Sequence, residues 1–110
     1  MKNICVWPNE KAKLKRVTIN VTKRDIAKGK RRLYHTCPVA LAVNRLLKKP
    51  FRSFVGTIAV KYEHITEGGS VYGSNIPINA TQFIHDFDDY KNPAPFKFRM
   101  SIPKMVLKNP

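Results

Sequence analysis

The stretch TCPVALAVNRLLKK, residues 36–49, decides the fold, because the rest of the chain has to pack around the helix that it predicts. Thr36 or Cys37 serves as the N-cap, and Pro38 follows in the first turn, where its missing N–H costs nothing. One apolar stripe runs along this helix, made by Val39, Val43, Leu46 and Leu47. The cations off that stripe are Arg45, Lys48 and Lys49, and Pro50 ends the helix. The pattern therefore predicts a buried helix with a cationic outer side.

The segment before this helix predicts a strand and a short helical turn. RVTINVT, residues 16–22, alternates apolar and polar side chains, which is typical of a half-buried strand. Thr22 and Asp25 then resemble a capping box, with Asp in place of the usual Glu, at the start of a helical turn over residues 23–28. Gly29 ends that turn, and an exposed basic loop, Lys30-Arg31-Arg32, leads into the central helix.

The second half of the chain predicts further strands and one helix. FVGTIAVKY, residues 54–62, reads as a single strand, and the turn signal EGGS at 67–70 joins weak strands near 64–66 and 71–73 into a hairpin. Asn79 and Gln82 predict the start of a helix that ends at Asn92-Pro93. Its apolar stripe consists of Ala80, Phe83, Ile84 and Phe87. FKFRMSI, residues 96–102, alternates again and predicts the last strand.

These elements predict a single small α+β domain with two main helices on one face of an antiparallel sheet. The β-α-β-β-α-β order suits a ferredoxin-like arrangement, and a meander with packed helices is the alternative. The domain covers residues 16–103, between a basic N-terminal extension (1–15) and a loose tail (104–110). Within the extension, residues 4–7 are either a short edge strand or an apolar anchor. The remainder is either an arm that orders on a partner or a frayed terminus.

Charge is the strongest functional signal in the sequence. The chain has 21 lysines and arginines against seven acids, a net charge of +14. Residues 1–52 hold 15 basic and two acidic side chains, a net of +13, so the remaining 58 residues carry only +1. Such an asymmetry favours a polyanionic partner over a merely soluble basic surface, since solubility does not require the charge to sit in one half.

Several classes of protein are disfavoured by the sequence. No apolar run approaches the roughly 20 residues that span a bilayer, and the apolar segment near the N-terminus is too short for a signal peptide, so we expect an intracellular protein. We expect both cysteines to stay reduced, and no cofactor. The spacing of the potential zinc ligands is poor for a structural site; they are Cys5, His35, Cys37, His64 and His85.

Two clusters have side chains suited to a chemical site, but their arrangement favours neither a catalytic site nor a metal site. Cys37 lies at a helix N-terminus, which lowers a thiol pKa, and His35 could act as its base, but no oxyanion motif or third orienting group accompanies them. Asp86, Asp88 and Asp89 offer carboxylates for a cation, but positions i, i+2 and i+3 of a helix do not converge. We therefore predict no catalytic residue and no metal site, with Cys37 as a packing residue and the acids solvated or paired with the basic half.

The basic side chains are the better candidate for a site, and they predict binding to nucleic-acid phosphates. The predicted contacts are Lys23, Arg24, Lys28, Lys30, Arg31, Arg32, Arg45, Lys48, Lys49 and Arg52, with arm contacts from Lys11, Lys13, Lys15 and Arg16. Tyr34 and His35 lie among them and could stack on a base. The aromatic motifs of RNA-recognition modules are absent, so recognition of backbone and shape is expected.

Three segments together resemble a group of small uncharacterised phage and bacterial proteins: VTKRDIAKG at 21–29, CPVALAVNR at 37–45 and FIHDFDDYKNPAPFKF at 83–98. The resemblance covers about residues 17–100. It implies a phage or bacterial source and a compact domain, with no implied activity. Most of the shared positions are explained by packing and turns.

The sequence thus leaves competing functions, none of them enzymatic. The first is a nucleic-acid-binding protein of the bacterial cytoplasm. The second is a phage accessory protein whose basic face meets an acidic surface of a host defence or transcription complex. The third is a small virion component that lies near packaged DNA. The partner is therefore nucleic acid, DNA or RNA, or an acidic protein surface, and no membrane.

Overall fold

The computed structural model describes residues 5–6 and 13–109. The strands are β1 (Cys5–Val6), β2 (Leu14–Val21), β3 (Phe51–Val55), β4 (Ala59–His64), β5 (Ser70–Asn75) and β6 (Phe96–Pro103). The helices are α1 (Lys23–Lys28), α2 (Pro38–Asn44) and α3 (Ile78–Asp88), and a 3₁₀ turn covers Lys104–Val106. The predicted α+β class and single small domain are confirmed.

The strands form two sheets where the sequence predicted one. In the first, the order is β1-β5-β4-β3, with β1 parallel to β5 and the other pairs antiparallel. In the second, β2 and β6 pair antiparallel over their whole length, from Leu14 opposite Pro103 to Val21 opposite Phe96. The ferredoxin-like order is therefore wrong, while β3-β4-β5 is the meander of the alternative. Alternating side chains predict that a segment is a strand, but they do not specify its neighbour.

The central helix is shorter than predicted, because the residues that follow it pair with the C-terminal segment. The helix ends at Asn44, and Leu46 and Leu47 donate to the carbonyls three residues earlier, in the tight geometry of a final turn. Leu47 then forms a β-bridge with Leu107. Val39, Val43 and Leu47 are buried as predicted, whereas Leu46 is only partly buried.

The segment expected to be a loose tail belongs to the core instead. Val106 and Leu107 are almost fully buried, and the backbone N–H groups of Lys48 and Lys108 bond to Val106 and Leu46. At the other end, Cys5–Val6 is an edge strand, which agrees with the strand interpretation of residues 4–7. Strand β2 begins at Leu14, two residues inside the predicted extension. Residues 1–4 and 7–12 of that extension lie outside the described residues.

Two further boundaries differ from the sequence prediction. Residues 54–62 are the two arms of a hairpin, because the N–H of Gly56 bonds to the carbonyl of Ala59 and turns the chain, leaving Ile58 exposed. The last helix begins at Ile78 after Pro77, with no side-chain cap, so the capping box at Asn79 does not form. It ends at Asp88, before the predicted stop at residues 92–93. Its apolar stripe is buried as predicted.

The helices and aromatic rings join the two sheets. Helix α2 contacts both β2 and β3 and so bridges the sheets. On the α3 side, the ring of Phe83 stacks on Phe96 with centroids 4.7 Å apart, and Phe96 stacks on Phe98 at 5.5 Å. One face of the β2–β6 ribbon is thereby buried against the helices, while the polar positions of both strands are left on its outer face.

Candidate nucleic-acid interface

Arg45, one of the predicted phosphate contacts, is engaged inside the protein. Its guanidinium donates through Nη1 to Oδ1 and through Nη2 to Oδ2 of Asp25, the latter at 2.8 Å. It also donates to the backbone carbonyl of Asn20 at 2.8 Å. Asp25 is only 4% exposed, and it is the acid of the predicted capping box, which is confirmed: Thr22 and Asp25 exchange both hydrogen bonds. Arg45 thus fixes α1 against α2 and β2.

The charge of Asp25 is stabilised by this arrangement. Burial alone would raise the pKa of Asp25, but the hydrogen bonds from Arg45 and Thr22 lower it further than burial raises it. The pKa of Asp25 therefore lies below its ordinary value of 3.8. A paired, ionised Asp25 leaves the guanidinium half exposed but partly neutralised, which weakens Arg45 as a phosphate contact.

The basic loop, residues 30–32, packs against the C-terminal end of α3 instead of being fully exposed to solvent. Arg31 Nε donates to the carbonyl of Phe87 at 2.9 Å, and its guanidinium lies over the rings of Phe87 and Tyr90 at 4.7 and 4.4 Å. A cation at this end of a helix meets unsatisfied carbonyls and the negative end of the dipole. Arg31 is accordingly half-buried, so the prediction of a fully exposed basic loop is wrong for this residue.

Arg32 is also drawn to this helix end. Its backbone N–H donates to Asp88 at 2.9 Å, and its guanidinium lies 3.9 Å from Asp89. The interpretation that these acids pair with the basic half is therefore confirmed for Asp88 and Asp89. Asp86 instead accepts from Gln82 at 3.0 Å and lies 3.8 Å from Lys91. In residues 13–109 and 5–6, no group of three or more His, Cys, Asp or Glu side chains is arranged to hold a metal ion.

Arg52 is the fourth predicted contact with an internal partner. It lies opposite Glu63 in the β3–β4 ladder, and its Nε is 3.3 Å from the carboxylate. His35 contacts the same carboxylate at 3.6 Å through Nε2, while its Nδ1 lies 3.1 Å from the carbonyl of Ser53. Both ring nitrogens of His35 thus have partners within the protein, so His35 is not placed to serve as a base for Cys37.

Cys37 is a helix cap and a core residue. Its sulfur accepts a hydrogen bond from the N–H of Ala40 at 3.4 Å, and the side chain is buried. Burial raises the pKa of the Cys37 thiol, so the thiol form is favoured over the nucleophilic thiolate. The cleft beside it is about 40 Å³ and is lined mainly by apolar side chains. That volume is close to what one or two waters occupy, which is too small for a substrate.

Six of the predicted contacts stay exposed or nearly so and have no acidic partner within the described residues: Lys23, Arg24, Lys28, Lys30, Lys48 and Lys49. Arg24 is the one arginine among these six, because Arg31, Arg32, Arg45 and Arg52 are each held by a carboxylate or a carbonyl. The fork of Arg suits such fixed pairing, whereas a lysine is a flexible point charge. Of the predicted arm contacts, Lys13, Lys15 and Arg16 are exposed, and Lys11 lies outside the described residues.

Sequence reasoning missed two cations that the fold brings beside Arg16. Lys97 and Arg99 belong to the nearly neutral half of the chain, yet β6 pairs with β2, so they lie on the outer face of the ribbon with Arg16. The signal was present in the alternation of both strands, which put all three cations opposite the apolar face. What the sequence lacked was the pairing of β2 with β6.

A cationic groove runs along the edge of β2 that does not pair with β6. It has a volume of about 350 Å³, and no Asp or Glu side chain of the described residues lines it. Its cationic walls are Lys15, Arg16, Arg45 and Lys108. The Lys15 ammonium donates to the carbonyl of Asn109 at 3.0 Å, which anchors the C-terminal segment at this edge.

Tyr34 is the aromatic side chain best placed for stacking. One face of its ring stacks on Phe54 with centroids 4.6 Å apart, and the side chain remains 55% exposed. The rigid Phe54 backing lowers the entropy that a stacking contact would cost. Tyr34 therefore stays a candidate for base stacking.

No known protein family, no curated protein and no solved structure matches this chain. The resemblance to small phage and bacterial proteins therefore stays a prediction. Among the described residues, no helix has the length and apolar character needed to cross a membrane.

Proposed function

We propose that this protein binds nucleic acid, chiefly through phosphate contacts made by its exposed lysines and arginines. The proposal rests on the observation that the carboxylates of the described residues already have partners within the chain. Every carboxylate in residues 13–109 contacts a donor of this chain: Asp25, Glu63, Glu67, Asp86, Asp88 and Asp89. Lys23, Arg24, Lys28, Lys30, Lys48 and Lys49 are therefore left without an acidic partner among the described residues, and the phosphates of a polyanion would neutralise them.

The proposed phosphate contacts are exposed cations that have no acidic partner among the described residues. From the sequence prediction they keep Lys15, Arg16, Lys23, Arg24, Lys28, Lys30, Lys48 and Lys49, and they add Lys97 and Arg99 of the ribbon face and Lys108 of the groove. Arg31, Arg32, Arg45 and Arg52 are removed from the set, because each already has a partner that a phosphate would have to displace. Tyr34 supplies a stacking surface for an unpaired base.

An acidic protein is the alternative partner, and the composition of the surface speaks against it. Protein interfaces have centres enriched in aromatic and apolar side chains and depleted in lysine. Here the unpaired cations are mostly lysines, the residue type least common at such centres. The proposed role is binding, in a bacterial cytoplasm if the resemblance to phage and bacterial proteins holds.

Fluorescence anisotropy with labelled random duplex DNA and a random single strand tests this function. At about 50 mM salt, where phosphate contacts are strong, we expect saturable binding to at least one of them. No binding to either at that salt concentration would overturn the proposal. Capture of partners from a lysate, with and without nuclease, then distinguishes nucleic acid from an acidic protein as the partner. A protein that stays bound after nuclease treatment would point to an acidic protein surface.

A further inference from the structure

The outer face of the β2–β6 ribbon has an unusual composition for a solvent-exposed sheet face. Alternation and register place Arg16, Thr18 and Asn20 of β2 on this face, opposite Ser101, Arg99 and Lys97 of β6. All six side chains are exposed or half-exposed, and none is acidic. Arginine, lysine, asparagine, serine and threonine are the side chains that hydrogen-bond to the edges of DNA bases. No ion pair occupies the three cations within the described part of the chain.

The dimensions of the ribbon match the major groove of B-form DNA. Two strands lie about 4.8 Å apart, and eight residues span about 27 Å. The major groove is about 12 Å wide, and it accepts a two-stranded antiparallel ribbon. Both β2 and β6 have eight residues, so the ribbon is long enough to follow the groove over several base pairs.

Cations also flank the ribbon at the place where a DNA backbone would run. A ribbon in the major groove has a phosphate backbone on either side. The edge of β2 carries the cationic groove, with Lys15 and Lys108 in its walls and no Asp or Glu side chain among its described lining residues. At the end of β2, after Thr22, α1 presents exposed Lys23 and Arg24. Positive charge is thus arranged both on the ribbon face and beside it, complementary to a groove and its bordering phosphates.

We propose that the outer face of the β2–β6 ribbon enters the major groove of duplex DNA, with Thr18, Asn20 and Arg99 at the base edges. This inference rests on the proposed nucleic-acid binding and narrows it to one ligand. Duplex RNA is excluded as the ligand, because its major groove is deep and too narrow for side chains to read. The lysines of α1 and the groove cations bind phosphates and add affinity without selecting sequence.

The test compares two DNA duplexes of identical sequence, one with cytosine and one with glucosylated 5-hydroxymethylcytosine. The glucose fills the major groove and leaves the phosphate charge unchanged. We expect the protein to bind the plain duplex at least about tenfold more tightly, which corresponds to the loss of one or more base contacts. We also expect a duplex RNA of the same sequence to bind at least about tenfold more weakly than the plain DNA.

Two variants locate the contact. Thr18→Ala with Asn20→Ala removes two uncharged side chains of the ribbon face, and both positions are exposed, so the fold is expected to persist. In this variant the preference for plain over glucosylated DNA should fall toward one, with the salt dependence unchanged. The matched control, Lys23→Ala with Lys28→Ala, should keep the preference and lose about two units of the salt slope.

The outcomes separate this inference from the proposed function. Equal binding of both duplexes by the unsubstituted protein would overturn the major-groove inference and leave nucleic-acid binding intact. A preference that survives Thr18→Ala with Asn20→Ala would overturn the assignment to the ribbon. Absence of binding to any duplex or single strand would overturn the proposed function itself, and the inference with it.

Discussion

The guanidinium of Arg45 donates hydrogen bonds to both carboxylate oxygens of Asp25, a buried acid 20 residues earlier in the chain. The pair locks α1, whose capping box contains Asp25, against the end of α2. Arg45, which the sequence predicted to lie on a cationic outer surface, therefore stabilises the fold. The same distinction, between cations held by internal partners and exposed cations without an acidic partner among the described residues, defines the proposed interface.

The first prediction concerns this pair. Arg45→Ala should lower the free energy of unfolding by about 1–3 kcal/mol, because it leaves a buried carboxylate without its partner. The helical pattern alone predicted an effect within about 0.5 kcal/mol, as for an ordinary surface position. Urea melts of Arg45→Ala and of the control Arg24→Ala, an exposed cation of the neighbouring helix, would decide the matter. Equal stability of the two variants would show that the pair contributes nothing.

The second prediction concerns pH. The pKa of Asp25 is lower in the folded protein than its ordinary value of 3.8, so in acid the unfolded chain binds more protons than the folded one. The contribution of Asp25 to stability is therefore fully present above pH 3.8 and is lost as the pH falls through the lower folded pKa. Urea midpoints at several acidic pH values should fall less steeply for Asp25→Asn than for the unsubstituted protein. Parallel slopes would contradict the assignment.

The third prediction concerns Gly73 in β5. A Cβ atom at this position would lie 1.6 Å from Cε2 of Tyr62, whose ring is fully buried on the neighbouring strand. Gly73→Ala should therefore destabilise the protein by at least about 1–3 kcal/mol, the usual cost of overpacking a core. Gly69→Ala is the matched control, since nothing lies within 4 Å of its Cβ position. Thermal melts that shift equally for both would show that Tyr62 does not pack on Gly73.

The fourth prediction concerns the two leucines after α2. Leu47 is 3% exposed and is bridged to Leu107, so Leu47→Ala should cost about 2–5 kcal/mol. Leu46 is only partly buried and should cost clearly less when truncated. The sequence treated both as equal members of one stripe. If chemical denaturation gave Leu46→Ala the larger loss, the helix would continue past Asn44 as the sequence predicted.

Local structure was the part of the fold that the sequence could predict. The capping box of Thr22 and Asp25, the alternation of β2 and β6 and the stripe of α3 depend on neighbours a few residues away, and they are confirmed. The end of α2 could not be predicted, because it is set by the bridge from Leu47 to Leu107, 60 positions along the chain. The split into two sheets has the same origin in long-range pairing.

The candidate site was predictable in charge but not in the position of that charge. Composition identified an excess of cations, and the exposed lysines of α1 are where the sequence placed them. The sequence could not show that Arg31 docks on α3 or that Arg52 faces Glu63, since these partners are distant in the chain. The sequence also missed Lys97 and Arg99. They lie beside the cations of the basic half because β6 pairs with β2, and this pairing could not be predicted.

We propose that exposed cations without an acidic partner among the described residues neutralise nucleic-acid phosphates, and the salt dependence of binding tests this proposal most directly. With a random DNA duplex, we expect log K to fall against log salt with a slope of about −4 to −5, for four to six neutralised phosphates. Replacing Lys23, Arg24 and Lys28 together by alanine should flatten that slope by up to about three units. Arg32→Ala, which removes a cation already placed beside Asp89, should change it by less than about one unit. A slope near zero, or equal flattening by both variants, would contradict the account.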